Sequence, residues 1–216
     1  MLGGVRSLFA GLSPRGRLSL GVVAALIVGL VGFTIGLAVG KPNYPGDGSP
    51  DVGFLRDMSA HHAQAVEMGM IAFQKASREE VRSMAGDMAM TQKDQIGRMQ
   101  GWLKVWGVPA NTTARPMAWL PDGESMMNGN LMPGMATRDE ITQLQNATGE
   151  QVDILFLQFM IRHHLGGIHM VNGVLDLHPV AEVRDLAQGM KDNQQREIDA
   201  MTQILTTDLH SSPLSD

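Results

Sequence analysis

Two stretches, FLRDMSAHHAQAVEM at residues 54–68 and FLQFMIRHHLGGIHM at residues 156–170, decide how this chain folds. Each contains an adjacent histidine pair with a methionine three residues before it. The stretches lie in longer segments, residues 51–103 and 153–205, that align without a gap at an offset of 102 residues. Such repetition indicates a duplicated supersecondary unit, so we expect one domain built from two similar halves.

Apolar residues in both halves recur at helical rather than alternating spacing. On a wheel of 100° per residue, His61 and His62 flank Met58 on an apolar face that extends to Phe73, and Glu67 lies opposite. Two hairpins of amphipathic helices, each helix of about 25 residues, cannot bury their apolar faces alone. The pattern therefore predicts an all-α fold, most simply a four-helix bundle. Helix starts are indicated by Ser77 with Glu80, Thr137 with Glu140, Thr148 with Gln151, and Pro179.

The run from Leu18 to Gly40 contains 23 residues without a charge, enough to cross the roughly 30 Å hydrocarbon core as a helix. Arg6, Arg15 and Arg17 precede it, so the positive-inside bias places the remainder of the chain outside the cytoplasm. A cleaved signal peptide is the alternative, because residues 38–40 loosely resemble a small-residue cleavage site. We expect a single-pass membrane anchor, and a secreted domain if the segment is cleaved.

The predicted organisation follows from these signals and from the distribution of proline and glycine. The long segment between the hairpins suits either a functional lid or disorder. Its methionines, including Met126 and Met127, form either a copper-collecting loop or a cover over one end of the bundle. The expected parts are a cytoplasmic N terminus (1–17), an anchor or signal segment (18–40), a non-packing linker (41–50), a bundle domain (51–206) with a Met-rich crossover (108–149), and a polar tail (207–216).

Composition excludes several function classes. Residues 41–216 carry 14 basic and all 22 acidic side chains, a balance of −8 that argues against nucleic acid as a partner. Cysteine is absent, which rules out Cys-based zinc sites and thiolate catalysis. The signatures of zinc proteases, nucleophile-elbow hydrolases and phosphate-binding loops are also absent, as is the Glu-x-x-His of di-iron carboxylate proteins. We therefore expect no enzymatic activity.

The two histidine pairs are the candidate chemistry. Two such helices packed face to face would gather imidazoles and thioethers in one cavity, a donor set that suits Cu(I) better than Mg²⁺, Ca²⁺ or Mn²⁺. A structural interpretation stands beside this one, because methionine at helical spacing is common core filler and a buried histidine commonly bonds a carbonyl or water. His169 replaces Glu67 in the second repeat and, with His178 and His210, is expected at the surface.

The pattern Phe-Leu-x-x-Met-x-x-His-His in both repeats, with Met-Pro-Gly-Met at residues 132–135 between them, resembles a bacterial domain family of unknown function that includes CopM-type copper-binding proteins. The resemblance covers residues 51–205. It implies a ferritin-like four-helix bundle that is exported or membrane anchored, with copper binding in some members. The implied metal ligands, carried over residue by residue, are Met58, His61, His62, Met68, Met132, Met135, Met160, His163, His164 and Met170.

Three functional hypotheses follow. The first is a membrane-tethered, extracytoplasmic protein that sequesters or delivers Cu(I) through His and Met, with the metal ion and the membrane as its partners and no nucleic acid. The second is a non-metal structural or interaction module of the cell envelope. The third, which no residue supports directly, is a metal-dependent redox enzyme. If His dominates the metal site, binding should weaken below about pH 6.

Overall fold

A computed structural model describes residues 13–39 and 43–214, which include the whole repeated region. Within these residues the chain is all-helical and contains no strand, so the predicted all-α class is confirmed. Most of the expected cytoplasmic N terminus, the junction at residues 40–42 and the last two residues lie outside the described ranges. The six α-helices are α1 (Pro14–Val39), α2 (Pro50–Lys75), α3 (Glu79–Val105), α4 (Arg138–Asn146), α5 (Glu150–Asp176) and α6 (Ala181–Gln203), with a 3₁₀ turn at Gly123–Met126 and a π-helical turn at Ile204–Asp208.

Helix α1 belongs to a unit of its own, separate from the unit that begins at Pro45. It contains a 19-residue apolar window, Leu18–Gly36, with a mean hydropathy of 2.5 and exposed side chains. Its length and composition fit a membrane anchor or a signal peptide.

The second unit is built from two helical hairpins. Helix α2 packs along α3, α5 packs along α6, and α2 also packs on α5, so the helices that carry the histidine pairs meet in the interior. The buried residues of α2 follow the predicted apolar face from Phe54 to Ala72. Phe73 is an exception, because 46% of its surface is exposed. Its ring instead lies over Gly86 of α3, where a Cβ atom would approach it to 2.9 Å.

Two helix starts differ from the prediction because their caps come from the other repeat. Helix α3 begins at Glu79 after Arg78, and Ser77 does not cap it. Instead, Asp153 at the start of α5 accepts hydrogen bonds from the backbone N–H groups of Ser77 and Arg78, both at 3.2 Å, and from the Ser77 hydroxyl. At the equivalent place in the other half, Asp51 accepts a 2.8 Å bond from the N–H of Val180 at the start of α6.

The remaining start signals gave mixed results. The predicted capping box of α4 is confirmed, since Thr137 and Glu140 exchange both side-chain-to-backbone bonds. Helix α5 begins after Gly149, whose positive φ of 59° sets the entry of the chain, and the Thr148 capping box predicted there is wrong. Helix α6 begins after Val180, so Pro179 precedes the helix instead of lying inside it.

The reciprocal caps give a paired prediction. Replacing the buried Asp153 by Ala removes the acceptor of two backbone N–H groups and of the Ser77 hydroxyl, and we expect a loss of about 3 kcal/mol in the free energy of unfolding. Asp51→Ala removes one such bond and should cost roughly half as much. Urea unfolding followed by circular dichroism measures both, and equal losses below about 1 kcal/mol would contradict the role assigned to these carboxylates.

The expected linker and crossover both pack against the helices. Arg56, whose side chain is only 7% exposed, pairs with Asp47, so the end of the linker is part of the folded unit. In the crossover, Met117 is fully buried, and Asp57 of α2 accepts bonds from its backbone N–H at 2.6 Å and from Trp119 Nε1 at 2.8 Å. Burial raises the pKa of Asp57 although these bonds and Arg56 oppose the rise. Of the methionines of this segment, Met117 and Met132 are buried, whereas Met126, Met127 and Met135 are half-buried at the surface.

Candidate metal centre

The contact between α2 and α5 brings one imidazole from each repeat together. The rings of His61 and His163 lie 3.8 Å apart between centroids at an interplanar angle of 35°, and those of His163 and His164 lie 6.3 Å apart. All four paired histidines are buried, with exposed fractions of 0 or 1%. The pairs therefore occupy the interior, as their helical spacing predicts, but His61 and His163 are the two that stack.

Each of the four imidazoles uses the same ring nitrogen to contact an oxygen atom. His61 Nε2 lies 3.0 Å from the Pro133 carbonyl oxygen, and His163 Nε2 lies 3.1 Å from the carbonyl oxygen of His61. The second member of each pair points to the outer helix of its own hairpin: His62 Nε2 to Gln95 Oε1 and His164 Nε2 to Glu197 Oε2, both at 2.7 Å. These oxygens only accept, so each Nε2 carries a proton, and an imidazole in its neutral form then has its lone pair on Nδ1.

The lone pairs are directed into the protein. The Nδ1 atoms of His61, His62 and His164 are buried and have no hydrogen-bonding partner in the protein. Gln92 and Gln194, which occupy equivalent positions on α3 and α6, are also buried and have amide atoms without a protein partner. A buried nitrogen lone pair that no donor satisfies is costly, and a bound cation is one group that satisfies it.

Burial also keeps the imidazoles of His61, His62 and His163 uncharged near neutral pH. It lowers the pKa of His61 to about 4, with the neighbouring His164 adding to the effect against the bond to Pro133. Burial, assisted by the adjacent His61, lowers the pKa of His62 to about 3. The pKa of His163 is lowered well below its usual range by the same two causes. Only a neutral imidazole can ligate a metal, so these side chains are in the ligating form across the neutral and mildly acidic range.

The predicted methionines divide into three groups. Met58 and Met170 lie with Met132 in one cluster of buried side chains, and Met68 and Met160 lie in another. The four methionines predicted as ligands within the repeats are fully buried, whereas Met132 is 5% exposed and Met135 is half-buried at the surface. Because equivalent residues fall in opposite clusters, α2 and α5 run antiparallel, and along each helix the stacked histidine lies between one methionine of each cluster.

The Met-Pro-Gly-Met segment is held on the two central helices. Gln64 of α2 clamps it through two bonds to the Ala136 backbone, at 2.8 Å from Nε2 to the carbonyl and 2.7 Å from the N–H to Oε1. On α5, a Cβ atom added to Gly166 would lie 2.0 Å from the Pro133 carbonyl oxygen, so only glycine permits this approach. Gly134 adopts a φ of +74° at the same contact. The segment thus supplies the acceptor that orients His61.

Sequence reasoning did not single out the partners of the outer imidazoles. These partners are Gln95 of α3 and Glu197 of α6. The signal was present, because each lies 33 residues after its histidine and the two occupy equivalent positions in the repeats. Among the described residues, no three His, Asp or Glu side chains form a group that could hold an ion by themselves.

Comparisons with known proteins place this architecture in a family. The sequence profile of the family called Domain of unknown function (DUF305) matches residues 51–205. A DUF305 protein from Streptomyces coelicolor that is described as secreted has a crystal structure with a TM-score of 0.72 and 39% identity, covering 79% of this chain and all of that one. The crystal structure of a DUF305 fragment from Deinococcus radiodurans has a TM-score of 0.60 and 32% identity, covering 74% of this chain and 95% of that one.

A third structure, CopM in its Cu(I)-bound form, has a TM-score of 0.58 and 23% identity, covering 74% of this chain and 98% of that one, which shows a shared fold. A comparison with curated protein sequences finds no match. Since the profile matches more than half of the sequence and the Streptomyces coelicolor relative is matched over its whole length, this chain belongs to the DUF305 family.

Proposed function

We propose that this domain binds Cu(I) through imidazole nitrogen and thioether sulfur in order to hold or hand on the ion, without catalysing a reaction. The observation that carries the proposal is the uniform use of Nε2 by all four buried histidines, which at His61, His62 and His164 leaves a buried Nδ1 atom without a protein partner. Metal-ligating histidines commonly donate their other ring N–H to a carbonyl or carboxylate in this way. Our candidate ligands are His61, His62 and His164, which have unpartnered Nδ1 atoms, and His163, whose ring stacks on His61. The candidate sulfur donors are Met58, Met68, Met160 and Met170.

The chemistry of the donors supports Cu(I) over harder ions. Thioether and imidazole are soft or borderline ligands, and the carboxyl group that contacts the pairs, that of Glu197, already accepts from His164. CopM, which shares the fold, has been solved with Cu(I) bound. We further propose that the two hairpins form a ferritin-like four-helix bundle and that α1 holds it outside the cytoplasmic membrane. An intact-mass measurement on chain recovered from membranes shows whether α1 is retained.

The test is a competition titration of the full chain in detergent against a chromogenic Cu(I) chelator, under anaerobic reducing conditions. We expect the double variant His61→Gln/His163→Gln to lose affinity by at least about 100-fold, because it removes both stacked imidazoles. The matched control, His178→Asn/His210→Gln, changes two exposed histidines and should bind like the native chain. Equal affinity of all three chains would refute the proposal.

Burial changes the expected pH dependence. With the pKa of His61 lowered to about 4, the imidazole of the folded domain should not be protonated between pH 7 and about pH 5, so any loss of copper affinity in that range should follow the unfolding of the metal-free domain measured by circular dichroism. The same titration at several pH values measures this.

A structural role is the second candidate, because every paired imidazole already has a protein acceptor for Nε2. On this hypothesis, the histidines are core hydrogen-bonding groups and the domain contacts a partner in the envelope. The double variant should then lose thermal stability in metal-free buffer, while copper leaves the melting temperature of the native chain unchanged. If Cu(I) raises the melting temperature of the native chain but not that of the double variant, the result supports the metal site.

A further inference from the structure

Three sulfur donors and one imidazole outside the buried centre line a single surface cleft. This cleft has a volume of about 460 Å³ and lies between the Met-rich segment and α5. Met126, Met132 and Met135 line it from the crossover, and His169 lines it from α5. His169 is exposed, Met126 and Met135 are half-buried, and Met132 is almost fully buried, so the donors range from solvent to the protein interior.

The charges around the cleft favour a soft cation. Among the described residues that line it, the one carboxylate is Glu140, and both of its oxygens are already engaged. Arg162 donates two bonds to them, at 2.8 and 2.7 Å, and the Thr137 N–H donates a third. Burial disfavours the ionised form of Glu140, but the bonds from Arg162 and Thr137 outweigh it and lower its pKa, so the pair stays ionised and mutually neutralised. A hard divalent ion finds no free carboxylate here, whereas thioether sulfur is available.

The cleft is connected to the buried histidines through the backbone of one residue. Pro133 lies in its lining, and the carbonyl oxygen of Pro133 is the acceptor for His61 Nε2. His169 lies one turn beyond Gly166, the residue that permits the segment to touch α5. An ion in the cleft therefore lies next to the segment that orients the buried centre.

We propose that this cleft is a second, solvent-facing Cu(I) site, ligated by His169 with the thioethers of Met126 and Met135, and that it loads the interior. The loading step rests on the proposed function of the buried histidines, whereas binding in the cleft does not. The sequence pattern predicts His169 at the surface, and the family resemblance implies Met132 and Met135 as metal ligands together with the paired histidines. The structure separates the two groups of donors.

The experiment uses the full chain in detergent, titrated anaerobically with Cu(I) while bound ion is counted against a chromogenic chelator. The triple variant Met126→Leu/Met135→Leu/His169→Gln should lose one equivalent of bound Cu(I) and fill the remaining site at least tenfold more slowly, with the affinity of that site unchanged. Its matched control, Met70→Leu/Met90→Leu/His178→Asn, alters two exposed methionines and an exposed histidine elsewhere and should behave as the native chain. Circular dichroism confirms that each variant is folded.

The buried variant His61→Gln/His163→Gln separates this inference from the proposed function. If it retains one equivalent that the triple variant lacks, the cleft binds Cu(I) whether or not the interior does. If the triple variant binds as many equivalents as the native chain, the cleft is not a site and the inference is overturned, while the buried centre stands or falls by its own titration. An unchanged filling rate in a triple variant that has lost one equivalent would overturn the loading role alone.

Discussion

Replacing Gly166 by Ala is expected to destabilise the domain by about 2 to 4 kcal/mol and to release the Met-Pro-Gly-Met segment from α5. The added Cβ would lie 2.0 Å from the Pro133 carbonyl oxygen, 2.3 Å from the Pro133 carbonyl carbon and 2.7 Å from the Gly134 nitrogen. All three are backbone atoms, so no side chain can rotate away to make room. The segment itself has to move, and its carbonyl then no longer accepts from His61.

The matched control is Gly97→Ala on α3. Gly97 is also helical, but it is exposed and nothing lies within 4 Å of the place where its Cβ would be. Alanine is favoured over glycine inside a helix by about 1 kcal/mol, so this control should stabilise the domain. The same Gly→Ala change should therefore lower the free energy of unfolding at position 166 and raise it at position 97.

Urea unfolding measures the two free energies, and hydrogen exchange at residues 132–136 reports whether the segment has been released. If Gly166→Ala is as stable as Gly97→Ala and the exchange of the segment is unchanged, the close contact described between Pro133 and α5 is not present in solution. The loss of the Pro133 acceptor should also lower copper affinity, since the orientation of His61 then depends on packing alone.

The helices and their buried faces were predictable because periodicity is a local property of the sequence. The spacing around Met58 places His61 and His62 in the interior, and the structure buries both. The repeat also predicts that His163 and His164 do the same on an equivalent helix. The prediction that Phe73 lies on the buried face was wrong. A helical wheel gives the direction of a side chain around the helix, but it does not show how far along the helix the neighbouring helix covers that face.

The caps were not predictable from local signals because they join residues far apart in the chain. Asp153 caps a helix that begins about 75 residues earlier, and Asp51 reaches Val180 across 129 residues. Ser77 and Thr148 have the spacing of caps, yet one is occupied by Asp153 and the other is replaced by a glycine turn. Such pairings follow from the packing of the two repeats, which the sequence specifies only through their similarity.

The sequence pattern predicts which histidines and methionines are candidate donors, but not which of them are buried and which lie at the surface. Nothing in the spacing of the Met-Pro-Gly-Met segment indicates that its carbonyl reaches His61, because an irregular segment has no period from which to infer a face. His169 is at the surface as predicted, and it is the cleft beside it that gives it a possible role. Only the path of the crossover in the structure shows which of these donors lie at the surface and which are buried.

Acidification of the metal-free protein is expected to unfold it between about pH 6 and pH 4, well above the range in which carboxylates alone would act. An unfolded imidazole has a pKa near 6.5, whereas burial lowers the pKa of His61 to about 4 and of His62 to about 3, and that of His163 well below 6.5. At pH values between the unfolded and the folded pKa, these imidazoles are protonated in the unfolded chain but not in the folded chain. The stability is therefore complete above pH 6.5 and falls as the pH decreases toward 4.

The size of the effect follows from the number of protons. Each imidazole contributes a slope of up to about 1.4 kcal/mol per pH unit, so His61, His62 and His163 together approach about 4 kcal/mol per unit against a total stability of about 5 to 15 kcal/mol. Asp57 acts in the opposite direction because its raised pKa favours the protonated folded form, and Glu140 acts in the same direction as the histidines but at lower pH. The histidines dominate because three of them titrate in one window.

Urea unfolding in the presence of a metal chelator, at intervals from pH 7.5 to 5, measures this slope directly. His62→Gln should reduce it by about 1.4 kcal/mol per pH unit, because the variant lacks one of the three protonating groups. The control His169→Gln changes an exposed histidine and should leave the slope of the native chain unaltered. Parallel curves for all three chains would show that the buried imidazoles accept protons while the domain stays folded, and Cu(I) would then have to compete with protons near pH 6 for the same nitrogen atoms.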